Sequence, residues 1–262
     1  MNFLKRITDY HKAQIFNLLR YTSDALIYAF LPLFFHSLDL STFYTGALLA
    51  SVPIMAIVGN LVMSFLCKSN KRNMMLLKIL MPIEIIACSL IGFFSNFVIV
   101  LILSMVMNFC NSSFYALLDG VCSSISTNEK KNYAGIRIFG SIAYLFSSFC
   151  GGFLIDHINY CFTFLIAGGV WCIDYFLLYT FNDIENQMKL GDEKEKEPYV
   201  NPIKNKQFIL YFFFYILILS ASHSTDTFFS LYAKDVKGIS SSNYGILYSS
   251  MILTEIIVMF IT

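Results

Sequence analysis

Charged side chains are scarce in this sequence. Asp, Glu, Lys and Arg make up 13% of its 262 residues, and the formal net charge is +1. Soluble domains carry about 25% charged residues, so an ordinary soluble domain is excluded. A charge balance this close to neutral offers no electrostatic footprint for a nucleic acid, and we expect no such partner.

Motifs for metal, redox and nucleotide chemistry are also absent from the sequence. The seven cysteines never form a C-x-x-C pair, and the four histidines lie far apart along the chain. No Walker A motif, Rossmann glycine cluster or H-E-x-x-H motif occurs. The sequence therefore predicts no metal site and no cofactor, and it disfavours transport driven directly by ATP. A membrane-embedded enzyme would need catalytic residues clustered near one interface, and none is indicated.

Long apolar runs dominate what remains. Hydrophobic residues make up 57% of the chain, and a run of about 18 residues or more can cross a hydrocarbon core about 30 Å thick. The first run contains Arg20 and Asp24 and has no small-residue cleavage site, so we interpret it as a retained helix and not as a signal peptide. The fold class predicted is an all-α polytopic membrane protein. Its eight membrane helices are predicted at residues 15–36, 44–67, 74–94, 97–118, 137–155, 160–181, 208–233 and 244–262.

Lysine and arginine occur mainly in alternate loops. The segments that contain them are residues 1–14, 68–73, 119–136 and 182–207. Neither residue type occurs in the intervening loops, 37–43, 95–96 and 156–159. Because basic loops remain in the cytoplasm, we expect a cytoplasmic N-terminus in a multi-pass protein of the plasma membrane.

One segment interrupts the apolar pattern. Residues 182–207 are dense in charged side chains and contain Pro198 and Pro202, so they cannot bury enough apolar surface to fold by themselves. We interpret this segment as a solvated cytoplasmic linker. The predicted organisation is a six-helix bundle at 1–181, the linker at 182–207, and the first two helices of a second bundle at 208–262.

The two helices after the linker resemble the first two helices of the chain. Residues 46–51 align with residues 245–250, and the segment at 31–34 aligns with the segment at 229–232. Both copies begin on the cytoplasmic side, which makes them a parallel repeat. The sequence thus predicts that a second bundle starts after the linker.

The segment at 132–144, NYAGIRIFGSIAY, contains the most specific motif. It resembles the Y-G-R-I-R-[LF]-[WF]-G-S signature that opens the fifth helix in one branch of the major facilitator superfamily. That branch includes lactose permease, nucleoside–proton symporters and phenylpropionate permease-like proteins. Two residues depart from the signature, because Ala134 and Gly135 replace a glycine and a basic residue. The loop at 67–72 also departs, since it lacks the aspartate that this superfamily has between its second and third helices.

This resemblance implies a fold and a mode of action. Members have twelve helices in two six-helix bundles, which rock around a midplane site and expose it alternately to each side. The chain would correspond to the first eight helices. It would be a secondary transporter of a small polar organic solute, such as a sugar, a nucleoside or an organic acid, and a proton symporter.

The resemblance also implies residues that bind the solute. In the branch named above, an acidic residue at the end of the fourth helix and an arginine on the fifth face the cavity; here these are Asp119 and Arg137. Tyr144 lies two turns after Arg137 on the same helical face and would stack on the solute. Asp24 on the first helix would line the same cavity. The alternatives are structural: Arg20 and Asp24 can form a local i,i+4 ion pair, and Asp119 and Arg137 can anchor helix ends.

Other ionisable residues lie inside apolar runs, where a charge costs on the order of 2.5–3.5 kcal/mol on insertion scales. Glu255 lies within such a run, at a position where the resemblance includes an acidic residue of the eighth helix. We expect Glu255, with His223 or Asp226, to carry the coupling proton. The alternative for His223 and Asp226 is polar contact between helices. Glu84 and Asp174 match no motif, and the sequence assigns them no role.

Two classes of function remain open at this point. The first is proton-coupled transport of a polar solute across the bilayer. The second is a truncated, non-transporting membrane protein with an assembly or sensory role or with no function. The expected architecture has twelve helices, and this sequence accounts for eight of them. The four helices that are not accounted for favour this second class.

Overall fold

A computed structural model describes residues 7–67, 70–181 and 205–261. Within these ranges the chain is helical and contains no β-strand. The predicted linker lies outside the described residues, apart from its last three positions. The helices are α1 (Asp9–Tyr28), α2 (Leu31–His36), α3 (Thr42–Leu66), α4 (Asn70–Ile91), α5 (Phe97–Asn128), α6 (Ala134–His157), α7 (Tyr160–Leu178), α8 (Lys206–Asp235) and α9 (Ser241–Ile261).

The helices follow the predicted spans. Seven helical stretches of the described chain are long and apolar enough to cross a membrane, and one of them joins α1 and α2. The eighth predicted span forms α9, which has 21 residues. The fold class, an all-α polytopic membrane protein, is therefore confirmed.

The first span is broken between α1 and α2. The backbone N–H of Phe30 donates to the carbonyl of Ile27 in a tight turn, and α2 then begins with Pro32 in its first turn. Proline has no N–H to donate, and its ring clashes with the carbonyl four residues earlier in a continuous helix. The prediction of one uninterrupted helix at 15–36 is therefore wrong in this detail.

The fourth span is longer than predicted, because α5 continues to Asn128. Val121, Cys122 and Ile125 are buried and extend the apolar face of the helix. Serine hydroxyls in this segment donate to backbone carbonyls one turn earlier, which lets polar residues continue the helix. Asp119 thus lies within α5, and its predicted place at the end of the fourth helix is wrong.

The helix α1 forms the centre of the first bundle. It packs against α6 and α7, while α4 packs against α5 and α7, and α3 packs against α5. Phe16 of α1 and Trp171 of α7 are fully buried in the core between these helices. On the outer surface, side chains such as Phe65 and Phe146 are exposed, as expected for helices that face lipid.

Loops divide the molecule into two ends. The near end contains the start of α1 and the loop at 129–133, and the far end contains the loops at 37–41, 158–159 and 236–240. The basic loops of the sequence predict that the near end is cytoplasmic. All later references to the near end and the far end use this definition.

The helices α8 and α9 meet the first bundle at the far end. α9 packs along α6, and α8 contacts α2. Phe30, Ile155, Ala233 and Tyr244 are buried together in a small core at this junction. By contrast, residues 206–222 of α8, in its near half, are all exposed.

Candidate functional site

Arg137 lies in the first turn of α6, at the near end. Its side chain is half-buried, and its guanidinium carbon lies 4.5 Å from the ring centroid of Tyr21 on α1. With the residues described, Arg137 makes no hydrogen bond or ion pair, so the protein leaves its donors unused. An arginine presents these donors as a rigid planar fork that matches carboxylate and phosphate groups.

Asp119 has an exposed side chain that is oriented by a neighbouring tyrosine. Its Oδ1 accepts a hydrogen bond of 2.7 Å from the hydroxyl of Tyr133. Burial of the phenol, followed by this hydrogen bond and the charge of Asp119, raises the pKa of Tyr133. Tyr133 therefore remains protonated at physiological pH and can always donate to Asp119.

Tyr21 is the residue against which Arg137 packs, although no sequence motif marks it. Its half-buried ring lies 5.3 Å from the ring of Tyr115, and the Arg137 guanidinium lies over its face. The fold thus places Arg137 of α6 directly against aromatic side chains from α1 and α5.

Tyr144 connects the region around Arg137 with α9. It is half-buried on α6, two turns after Arg137, and its ring lies 6.2 Å from the ring of Tyr248 on α9. The ring of Tyr248 in turn lies 5.8 Å from that of Tyr244. Tyr144 therefore stands where the first bundle meets α9, and the charge of Asp24 also acts on it.

Arg20, by contrast, is fully buried within α1 and forms ion pairs with two carboxylates. Its two terminal nitrogens donate to the two carboxylate oxygens of Glu84 on α4, at 2.8 and 2.6 Å. Its Nε lies 3.6 Å from Oδ1 of Asp24. The local pair with Asp24 is thus secondary, and Glu84, to which the sequence assigned no role, is the main partner of Arg20. A bidentate arginine–carboxylate pair is the stronger arrangement.

Aromatic rings enclose the Arg20 guanidinium. Its carbon lies 4.2 Å from the ring centroid of Phe114 and 4.5 Å from that of Trp171. The indole N–H of Trp171 donates to the backbone carbonyl of Arg20 at 3.4 Å. These rings add cation–π attraction and separate the ion pair from lipid.

Two further carboxyl groups lie in the same interior. Asp24 is 2% exposed; its Oδ1 accepts a hydrogen bond of 3.4 Å from Asn111, and its Oδ2 has no partner among the described residues. Asp174 on α7 is fully buried, and neither of its oxygens has a hydrogen-bond partner in the described chain. We call Arg20, Glu84, Asp24 and Asp174 the interior cluster.

At the far end, α6 caps the start of α9. Asp156 accepts hydrogen bonds from the backbone N–H groups of Ser241 and Ser242, at 3.1 and 2.7 Å, and from the Ser242 hydroxyl at 2.6 Å. A carboxylate at a helix N-terminus satisfies unpaired N–H groups and interacts favourably with the helix dipole. Beside this cap, Nε2 of His36 lies 3.1 Å from a carboxylate oxygen of Asp235.

Two glycines allow α6 and α9 to approach closely next to this cap. A Cβ atom on Gly152 would overlap the backbone carbonyl of Ser241, and a Cβ on Gly245 would lie 2.7 Å from the carbonyl oxygen of Ser148. The hydroxyl oxygens of Ser148 and Ser249 lie 3.1 Å apart across the same contact. The first bundle and α9 are therefore in direct backbone contact at the far end.

The residues expected to carry the proton lie apart from the charged groups of the first bundle. Glu255 is exposed on α9 and forms no hydrogen bond or ion pair with a described residue. His223 and Asp226 lie in the middle of α8, and their side chains are outside the described part of the structure. The structure thus does not bring Glu255 together with Arg137 or Asp119.

The arrangement around Tyr21 is suited to binding a polar organic molecule. It combines unused guanidinium donors, an oriented carboxylate and several aromatic faces, which together can hold hydroxyl, carboxylate or ring groups. No group of three or more His, Cys, Asp or Glu side chains that could hold a metal ion occurs among the described residues.

Known proteins resemble this chain in sequence and in structure. The model of a family described as the MFS_1 like family matches residues 10–262. The uncharacterized transporter YwbF of Bacillus subtilis (strain 168) is 25% identical over 146 residues, which are 55% of this chain and 36% of that protein.

Two solved structures share the fold. The crystal structure of the nucleoside transporter NupG matches with a TM-score of 0.77 and 14% identity, and a mutant of the same transporter matches with a TM-score of 0.79 and 13% identity. Each match covers 96% of this chain and 66% of the NupG chain. The chain therefore spans less than the full length of these relatives, and identities this low show the fold alone.

Proposed function

Because the chain belongs to the MFS_1 like family, we propose that it acts in secondary active transport of a small polar organic solute, by alternating access and with proton symport. Family membership confirms the resemblance to the major facilitator superfamily. The solute is a sugar, a nucleoside or an organic acid. The N-terminus and the near end face the cytoplasm, and the membrane is the plasma membrane.

The observation that carries this proposal is the environment of Arg137. Its guanidinium is held against the ring of Tyr21, yet its donors have no partner among the described residues. An arginine that makes no hydrogen bond with the described residues keeps its planar fork of donors available for a ligand. In this proposal a polar solute supplies the acceptors.

The neighbouring residues then have distinct roles. Arg137 donates to carboxylate or hydroxyl oxygens of the solute, and Asp119, oriented by Tyr133, accepts from its hydroxyl groups. Tyr144 stacks on a ring of the solute, and Asp24 completes the polar lining from α1. These roles place the solute between α1, α5 and α6 and the second bundle that starts with α8 and α9.

The contacts of α8 and α9 support an alternating mechanism. At the far end α9 is in backbone contact with α6, and Asp156 caps it. Closure of the contact between the two bundles at one end at a time is what alternating access requires.

Uptake into proteoliposomes tests this function. Purified protein is reconstituted, an inward proton gradient is imposed, and labelled uridine, lactose and benzoate are offered separately. We expect one of the three to accumulate above its external concentration, and to stop accumulating when an ionophore removes the gradient. Entry of all three at the rate seen in protein-free liposomes would overturn the assignment of transport.

Glu255, with His223 or Asp226, is proposed to carry the coupling proton. Glu255 lies within an apolar run of the sequence, and an ionisable residue in such a run is a candidate for binding and releasing a proton during transport. We expect Glu255→Gln to abolish accumulation against a gradient while exchange of labelled for unlabelled solute continues. If proton-driven accumulation persists in this variant, Glu255 is not the coupling group.

The second candidate function, a non-transporting membrane protein with an assembly role, is favoured by one observation. The exposed side chains of residues 206–222 form an apolar helix surface that no described residue covers. Cross-linking in the membrane distinguishes the two functions: a partner bound stoichiometrically at this surface, together with a negative uptake assay, would favour assembly.

A further inference from the structure

Asp174 is the least satisfied polar side chain in the first bundle. It is fully buried on α7, and both of its carboxylate oxygens lack a hydrogen-bond partner among the described residues. An ionised carboxylate without a partner is very costly in an apolar interior, and in practice such a group becomes neutral. Its surroundings therefore decide its protonation.

The positive charge near Asp174 is already committed elsewhere. Both terminal nitrogens of Arg20 donate to Glu84, and the Nε of Arg20 lies beside Asp24. Asp24 has the contact with Arg20 and a hydrogen bond from Asn111, whereas neither oxygen of Asp174 has a hydrogen-bond partner among the described residues. An ionised Asp174 would therefore add a third carboxylate to an interior in which Arg20 is already the partner of Glu84 and Asp24.

The helices packed against α7 present a defined set of groups to this interior. α7 packs against α1 and α4 and, more lightly, against α6. Among the described residues, α6 adds no charge that acts on Asp174. The titratable and charged side chains of the interior are Arg20, Asp24 and Tyr28 from α1 and Glu84 and Cys88 from α4.

We infer that the carboxyl group of Asp174 is a proton-binding site inside the first bundle. In the conformation that the structure shows, this carboxyl group is protonated. Binding adds one proton to the carboxylate and removes one negative charge from the interior cluster. Release leaves a buried carboxylate that has no hydrogen-bond partner among the described residues. The proton at Asp174 therefore sets the net charge of the interior that contains the Arg20–Glu84 pair.

This inference does not rest on transport or on Glu255. It concerns the protonation of one carboxyl group in the resting protein, without solute. It proposes a role for Asp174, to which the sequence analysis assigned none, and it places a proton in the half of the molecule where no motif indicated one.

Infrared spectroscopy tests the inference directly. Purified protein in an ester-free detergent at neutral pH is compared with Asp174→Asn in the C=O stretching region of protonated carboxyl groups. We expect the wild-type protein to show a band that is lost in Asp174→Asn and kept in Asp39→Asn, a control in the loop at 37–41. A spectrum that Asp174→Asn leaves unchanged would overturn the inference.

Stability provides an independent test, because asparagine has nearly the shape and the neutral charge of a protonated aspartate. We expect Asp174→Asn to fold and to keep its melting temperature, whereas Glu84→Gln, which removes a true ion-pair partner, lowers it clearly. If Asp174→Asn fails to fold, or loses as much as Glu84→Gln, then Asp174 is an ionised partner and the inference is wrong. Neither measurement involves uptake, so a failure of transport leaves both results interpretable.

Discussion

The two arginines Arg20 and Arg137 lie within the same bundle but in opposite environments. Arg20 is fully buried, with its fork bound to both oxygens of Glu84 and its faces against Phe114 and Trp171. Arg137 is half-buried, rests on Tyr21 and has no hydrogen-bond partner among the described residues. The terminal nitrogens of Arg20 are thus engaged by a protein carboxylate in a buried site, whereas Arg137 makes no hydrogen bond to a described residue and lies where a ligand can reach it.

This difference distinguishes a charged residue with a structural role, Arg20, from one with a proposed functional role, Arg137. The Arg20–Glu84 pair connects α1 to α4, and removing one partner of such a pair leaves an uncompensated charge in the interior. The contact between Arg137 and Tyr21 only positions a guanidinium at an accessible edge. We therefore expect the same substitution to affect stability at one position and transport at the other.

The largest effect is expected for Arg20→Gln. This change leaves Glu84 and Asp24 without their cation, and breaking a buried pair costs about 3–5 kcal/mol of folding free energy. Reversible unfolding in mixed micelles measures this loss. The matched control is Arg137→Gln, for which we expect less than about 1 kcal/mol, since pairs and charges at exposed positions contribute little. Equal losses in the two variants would contradict the distinction.

A smaller effect, on solute recognition alone, is expected for Arg137→Lys. Lysine keeps the charge but loses the planar fork and its stacking on Tyr21. A hydrogen bond to a charged group contributes about 1.5–3 kcal/mol, so the affinity for the transported solute should fall about ten- to hundredfold. Competition for uptake measures this change, while the melting temperature should stay at the wild-type value. Unchanged affinity would remove Arg137 from the site.

The smallest effect is expected for Gly152→Ala, which leaves both arginines in place and changes access to Arg137. The added methyl group overlaps the backbone carbonyl of Ser241, and overpacking of this kind costs about 1–3 kcal/mol. The added methyl group destabilises the conformation in which α6 and α9 are in contact. Because the conformation that is open at the far end is then more populated, we expect faster maleimide labelling of a Ser249→Cys substitution from the far side.

Gly169→Ala on α7 is the matched control for that experiment. A Cβ atom at Gly169 has no neighbour within 4 Å, so the same methyl group meets open space there. Labelling at Ser249→Cys should remain at the wild-type rate in this background. An equal increase in both variants would show that the α6–α9 contact does not control access.

Much of the fold could be predicted from the sequence, because membrane helices depend on local hydrophobicity. All eight apolar runs form helices, and most bounds agree within a few residues. The errors lie where local composition misleads. Pro32 breaks the first span although the residues on both sides of it are apolar, and the serine-rich segment after Asp119 remains helical because its buried face is apolar.

Less of the candidate site could be predicted, because its contacts join residues far apart in the chain. The i,i+4 spacing of Arg20 and Asp24 indicated a local pair, but no spacing rule connects Arg20 with Glu84 on another helix. The available signal was weaker: Glu84 and Asp174 are single carboxyl groups inside apolar runs, and such groups need a partner or a proton. Tyr21 gave no signal at all, since aromatic residues are common throughout this chain.

Hydrophobic patterning by itself determined that this chain is a bundle of membrane helices, because lipid leaves the backbone no alternative to internal hydrogen bonding. The motif at 132–144 indicated the family to which it belongs. Only the tertiary structure decided which charges neutralise one another. That outcome depends on which helix faces meet, and the contacts of 2.8 and 2.6 Å between Arg20 on α1 and Glu84 on α4 leave no trace in sequence spacing.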